Sequence, residues 1–462
     1  TGVFLSALMV NRVSAIAFAK TFGGSGYDEA LSVQQTSDGG YIVTGGTGSF
    51  GAGGADVFLL KTDASGNLQW AKTFGGNNSD YAWSVQQTSD GGYIVAGYTL
   101  SFGAGNFDVF LLKTDASGNL QWVKTFGGSD YDWAFSVQQT SDGGYIVAGE
   151  TRSFVTGSYY VFLLKTDASG NLQWAKTFGG NNGDYARSVQ QTSDGGYIVA
   201  GYTWSFGAGG VDIFLLKTDA SGNLQWAKTF GGSDWDYASS VQQTSDGGYI
   251  VAGYTLSFGA GNNDVFLLKT DASGNLQWSK TFGGSNHDWA FSVQQTSDGG
   301  YIVAGWTYSF GAGNNDVFLL KTDASGNLQW AKTFRGDSTD YARSVQQTSD
   351  GGYIVAGGTS SFGAGWEDVF LLKTDANGNI GTCAIVGSPT PTVTTPTTTE
   401  TNPTPTETSP TPTVTTPSPT VTSPTLSVSE PCPISISEEQ RFDGCFADVL
   451  RVGKGHITVS SV

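Results

Sequence analysis

The chain has 462 residues, with 40 acidic against 22 basic side chains and a net charge of −18. That balance argues against nucleic acid and anionic lipid as partners, since both need basic patches. No run of about 20 apolar residues is present, so the sequence predicts no membrane-spanning helix. All 12 prolines fall between Pro389 and Pro433, which divides the chain into a Gly-rich body, a Thr/Pro tract and a short tail.

Residues 1–22 come first. Two readings are open for them. An apolar stretch Val3–Val10 before Ala17-Phe-Ala19 has the form of an export-signal remnant. Alternatively, Ile16–Phe22 is a strand kept in the mature chain. From Lys20 onward the motif Lys-Thr-Phe-Gly-Gly recurs at Lys72, Lys124, Lys176, Lys228 and Lys280, and as Lys-Thr-Phe-Arg-Gly at Lys332, always 52 residues apart. A fixed period of this size signals a modular ring or stack.

One unit reads as four strands. Ala30–Thr36 alternates polar and apolar residues, and Ser37-Asp-Gly-Gly40 is a tight turn. Tyr41–Thr47 is the second strand. Asp56–Thr62 is the third, its four consecutive apolar residues predicting burial on both faces. After the turn Asp63–Asn67, Leu68–Phe74 alternates again and makes the fourth. Seven such units predict an all-β fold, a seven-bladed β-propeller over 23–387, in which Ile42, Val43, Phe58, Leu59 and Trp70 of one blade cover the next.

The run Asp108–Trp122, then Gly127-Gly-Ser-Asp-Tyr-Asp132, then Asp142–Gly149 resembles the bacterial and archaeal secreted β-propeller repeat abbreviated SBBP. The resemblance covers about residues 14–386. It implies a propeller on an exported protein, and no common activity comes with it.

Seven blades need seven fourth strands, and the chain offers eight. Ile16–Phe22 and Ile380–Val386 compete for the last slot. A spare strand left over could pair with the sheet edge of a second copy. Residues 388–431 are expected to be an extended linker with O-glycans, reaching on the order of 125 Å at about 3.1 Å per residue. Its candidate glycosylation sites include Thr392, Thr394, Thr395, Thr397, Thr398, Thr399, Thr413, Thr415 and Thr416, and Asn77 opens a lone N-glycosylation sequon. Residues 432–462 are too few for a core of their own. A Cys432–Cys445 disulfide, with Cys383 left over, and docking on a partner subunit are expected to hold them. The joints with other copies would be Ile16, Phe18, Phe22, Ile380, Ile385, Val386, Ile434, Ile436, Ile457 and Val459.

Catalytic constellations are not apparent, and no cofactor is expected. Asp28, Asp80, Asp132, Asp184, Asp236, Asp288 and Asp340 hold one position in all seven units. They are candidate Ca²⁺ ligands, against the plainer reading of such repeated aspartates as turn anchors. The copies differ most at Gly46, Tyr98, Glu150, Tyr202, Tyr254, Trp306 and Gly358, and two residues further on, where Trp204 and Tyr308 stand. Tyr98, Tyr202, Trp204, Tyr254, Trp306 and Tyr308 are therefore the candidate ligand-binding residues, because aromatic faces stack on sugars or anchor protein contacts. Two functions follow. One is an extracellular structural protein, the repeating subunit of a filament or layer. The other is a carbohydrate-binding or adhesive propeller that recognises surface glycans.

Overall fold

The computed structural model describes residues 17–432 apart from 313, 405, 409, 412, 416 and 419, together with 449–453 and 456–460. The first of its two compact units, ending at Cys432, is a seven-bladed β-propeller with antiparallel blades. Blade 1 comprises Asp28–Gln35, Tyr41–Thr47, Asp56–Thr62 and Leu68–Gly75. Blades 2 to 6 repeat it every 52 residues. Blade 7 has three strands from its own unit, Asp340–Gln347, Tyr353–Thr359 and Asp368–Thr374, and takes its fourth from the N-terminal strand Phe18–Gly23. Phe22 pairs with Val369 and Phe18 with Lys373. Among the described residues no helix is long and apolar enough to cross a membrane.

The turns are fixed by their own side chains. Gly39 takes φ +84°, open to glycine because it lacks a Cβ. Asp38 accepts from the Gly40 amide at 3.0 Å and pairs with Lys61 at 2.9 Å. In the second hairpin Asp63 Oδ1 accepts from the amides of Ser65 and Asn67, both at 2.8 Å, an Asx turn. The core lies between blades. Ile42, Val57, Leu59 and Phe74 of blade 1 pack against Tyr93, Val95, Phe110 and Leu112 of blade 2, with Trp70 at the margin. A blade alone would leave one such face in water, so the ring is stable only when closed.

The Thr/Pro tract is not a tether. It circles the ring and adds a short fifth strand to every blade. Val386–Gly387 pairs with blade 6, Thr392–Thr394 with blade 5, Thr399–Thr401 with blade 4 and Thr406–Thr408 with blade 3. Thr413–Thr415, Thr420–Thr422 and Ser427–Ser429 follow on blades 2, 1 and 7. The tract thus runs against the order of the blades, one blade every seven residues. Its prolines Pro389, Pro396, Pro403, Pro410, Pro417, Pro424 and Pro431 keep the same period and fall between the strands, where a missing N–H breaks no ladder. Threonines of the Lys-Thr-Phe motif meet threonines of this belt: Thr281 Oγ1 lies 2.6 Å from Thr394 Oγ1, Thr229 2.5 Å from Thr401, and Thr73 2.6 Å from Thr422. The belt therefore caps the outer strand edge of each blade, the edge most open to pairing with another chain.

The belt also decides the disulfide. After one circuit Cys432 returns beside Cys383, with Cα atoms 5.5 Å apart, and the two are bonded. The expected Cys432–Cys445 pair is thereby replaced, and Cys445 lies outside the described residues. Five of the ten expected joints are occupied within the ring. Phe18, Phe22 and Ile380 are buried, and Ile385 and Val386 pack on the core between blades 6 and 7. Ile16, Ile434 and Ile436 lie outside the described residues. Of the candidate glycosylation sites, Thr392, Thr395, Thr397 and Thr399 are exposed, as is Asn77. Thr394 is half-buried against Thr281, and Thr398 lies 2.9 Å from Ser279 Oγ. Thr413 and Thr415 belong to the blade 2 belt strand, and Thr416 lies outside the described residues.

The second unit, Pro433–Val462, contains an antiparallel hairpin of Val449–Gly453 and His456–Ser460, in which Val452 pairs with Ile457 and Leu450 with Val459.

Candidate functional site

A cavity of about 470 Å³ lies on the ring axis. The first strand of every blade carries a bulge there. In blade 4 the register slips between Ala186 and Ser188, leaving Arg187 as the extra residue, and the other blades repeat the slip. A bulge re-aims the extra side chain. The seven residues so placed, Leu31, Trp83, Phe135, Arg187, Ser239, Phe291 and Arg343, all line the cavity. Each bulge presses a carbonyl onto the strand opposite. A Cβ on Gly201 would stand 1.8 Å from the Tyr185 oxygen, so the glycine that ends each Ile-Val-Ala-Gly run, and Ile-Val-Thr-Gly in blade 1, makes the bulge possible.

Around this opening runs an arc of rings. Tyr185 stacks on Tyr202 at 4.6 Å, Tyr202 meets Tyr237 at 4.7 Å, and Tyr237 stacks on Tyr254 at 4.7 Å. Tyr254 lies 4.4 Å from Trp289 at only 7° between planes, and Trp289 meets Trp306 at 4.6 Å. On the other side Tyr81, Tyr98 and Trp133 continue the arc at 5.6 and 5.8 Å. It breaks at blades 7 and 1, where Gly358 and Gly46 take the place of rings. There the Tyr341 hydroxyl contacts Glu29 Oε2 at 2.9 Å and also Glu367 Oε1. One hydroxyl is thus shared between two acids. Burial pushes Glu29 up, and it raises Glu367 to about 7.

Two guanidinium groups are the charged members of the cavity wall. Arg187 lies 3.9 Å over Phe135, donates to Glu150 Oε2 at 3.2 Å and reaches the Tyr202 hydroxyl at 2.8 Å. Burial lifts Glu150 to about 7 against the pull of Arg187. Arg343 lies 4.3 Å over Phe291 and 5.0 Å from the centre of Tyr341, and its buried Nε has no hydrogen-bond partner. The indole N–H group of Trp133 in the same wall is also without an acceptor. The wall therefore has stacking faces and surplus donors, a combination suited to a ligand rich in acceptor oxygens.

Of the residues picked from the sequence, Tyr98, Tyr202 and Tyr254 come together in this cavity. Trp306 joins the arc behind them. Trp204 and Tyr308 stand apart as exposed rim residues, Trp204 beside Trp235 at 5.8 Å. Sequence reasoning missed the bulge residues and the ring series Tyr81, Trp133, Tyr185, Tyr237, Trp289 and Tyr341. A signal was available, since these columns also vary between otherwise near-identical copies.

The repeated aspartates are anchors. Asp80 accepts from the Gly76 amide at 2.8 Å, from Ser101 Oγ at 2.7 Å and from Thr99 Oγ1. Asp28, Asp132, Asp184, Asp288 and Asp340 have the same three donors, and Asp236 accepts from Gly232 and Ser257. Donors, not ligand oxygens, face these carboxylates. Among the described residues no group of three or more His, Cys, Asp or Glu is arranged to hold a metal ion.

Residues 296–328 match the model of a family described as a beta-propeller domain of unknown function, DUF5122. The chain is 28% identical over 240 residues to the regulatory protein FlaEY of Caulobacter vibrioides, a match covering 48% of this chain and 23% of that protein. The chain thus spans less than a quarter of the length of this relative. Among solved structures, Sqt1 of Chaetomium thermophilum is similar at 12% identity and a TM-score of 0.43, over 74% of this chain and 81% of that one. The extracellular domain of BT4673 from B. thetaiotaomicron is similar at 11% identity and 0.41, over 76% and 40%.

Proposed function

We propose that the ring is a non-enzymatic, extracellular binding module that holds a carbohydrate in its axial cavity. One observation carries this reading: seven near-copies keep their core and turns alike, yet diverge at the positions that line this cavity. Packing alone would keep those columns uniform. The aromatic wall offers apolar surface to sugar rings, and unpartnered N–H groups donate to their oxygens. The Cys383–Cys432 bond suits an oxidising, exported setting. Affinity electrophoresis through gels containing soluble polysaccharides tests the reading. The protein is expected to be retarded by at least one of them, and Trp289→Ala to lose most of the retardation. Unretarded migration across a broad panel would remove it.

The second reading is a filament or layer subunit made of copies of this chain. The separate hairpin unit favours it, because two strands alone are marginal in water and seek a partner. Strand addition at the blades does not, since the belt already occupies their outer edges.

A further inference from the structure

The two arginines of the cavity form a natural comparison. They occupy the same bulge position in blades 4 and 7. Each is stacked on a phenylalanine of the preceding blade, Arg187 on Phe135 and Arg343 on Phe291. They differ in their counter-ion. Arg187 is met by Glu150, from the second strand of the preceding blade, at 3.2 Å. The equivalent residue for Arg343 is Trp306, which offers no carboxylate. Among the described residues, no carboxylate lies within ion-pair distance of Arg343, and its Nε is buried without an acceptor. Glu29 and Glu367 are the acids whose charge it feels, and both are engaged by the Tyr341 hydroxyl.

We propose that the axial cavity selects a sugar bearing a carboxylate, a uronic-acid type residue, whose carboxylate pairs with Arg343 while its ring packs against the aromatic wall. Arg343 is half-buried and its Nε is buried without an acceptor, which is costly, whereas a planar carboxylate can take two guanidinium N–H groups side by side. The cavity wall adds no carboxylate of its own to repel an anion. The unpartnered indole donor of Trp133 can meet a further oxygen of the same ligand. A sulfated sugar also fits the guanidinium fork, and the test separates the two. This inference rests on the carbohydrate reading and narrows it.

The test is binding of the whole protein to a glycan array holding matched sets: uronate-bearing oligosaccharides, their methyl esters, neutral counterparts and sulfated counterparts. The expected result is a preference of about tenfold or more for the free uronate over its ester. Arg343→Gln should abolish that preference. Trp306→Glu copies the arrangement that blade 3 already tolerates, so it should leave the fold intact, give Arg343 an internal partner, and also abolish the preference. Thermal unfolding of each variant confirms the fold. Equal binding of uronates and neutral sugars, unchanged in both variants, overturns the uronate assignment and leaves the carbohydrate reading standing. Stronger binding of the sulfated set also overturns it. No binding to any glycan, or binding to acidic peptides alone, overturns the carbohydrate reading itself.

Discussion

Opening the belt at its clasp should loosen the ring measurably. Cys383 and Cys432 lie 49 residues apart, and between them the chain passes blades 6 to 1 and ends on blade 7. In the chain-entropy account, closing a loop of about 50 residues removes about 14 cal/mol/K from the unfolded ensemble, or about 4 kcal/mol at 25 °C. Unfolding entropy is about 2.1 cal/mol/K per residue, so the roughly 400 residues of ring and belt give about 0.8 kcal/mol/K. The double variant Cys383→Ser, Cys432→Ser should therefore melt about 5 °C lower in calorimetry. The loss should also be directional. Without the clasp the belt can fray from its last strand, Ser427–Ser429, which is held on Phe18–Gly23 by three residue pairs and by a Lys20–Glu430 bridge of 2.9 Å. Hydrogen exchange should speed up first at the belt-facing amides of Thr21 and Gly23 and only later at blade 4. Melting within a degree of the parent, with unchanged exchange at those amides, would refute the reasoning.

Stability should peak in mildly acid solution, for two opposed reasons. Burial raises Asp38, but hydrogen bonds from Thr36 and Lys61 outweigh it and hold the carboxyl at about 2; Asp90, Asp142, Asp194 and Asp246 repeat this. Their contribution is present above about pH 4 and lost toward pH 2, and it is modest because these groups face water. Conversely, burial lifts Asp56 and Asp264 to about 7 and Asp108, Asp212 and Asp316 to about 6. That contribution is full below about pH 4 and lost as pH rises through 6 to 7. Melting temperature scanned against pH should fall on both sides of about pH 4–5, and a steady rise from pH 4 to 8 would contradict this. Gly201→Ala should cost about 1–3 kcal/mol by driving a methyl group into the Tyr185 carbonyl, and denaturant midpoints measure it.

Much of the ring was legible in the sequence. The 52-residue period gave the number of blades. The glycines at positive φ and the Asp-Ala-Ser-Gly-Asn turns gave the hairpins, because turn chemistry is local and acts within a few residues. The run Val57–Leu60 announced a strand buried on both faces. Part of the site was legible as well, since Tyr98, Tyr202 and Tyr254 vary where the rest of the repeat does not. Tertiary structure decided the remainder, because each case joins residues far apart in the chain. A Thr/Pro composition alone reads as an extended tether. It becomes a belt because each blade leaves an open edge, with a threonine waiting, at the interval that seven residues span. The clasp partner of Cys432 depended on that circuit, as spacing along the chain favours Cys445 until the belt returns the chain to Cys383. Which terminal strand closes blade 7 was likewise settled by packing: Phe18 fills the place of the blade tryptophan against Tyr41 at 6.0 Å, which Ile380–Val386, having lost its tryptophan, could not do. The lone guanidinium of Arg343 emerged last, since a missing counter-ion shows only when seven blades face one axis.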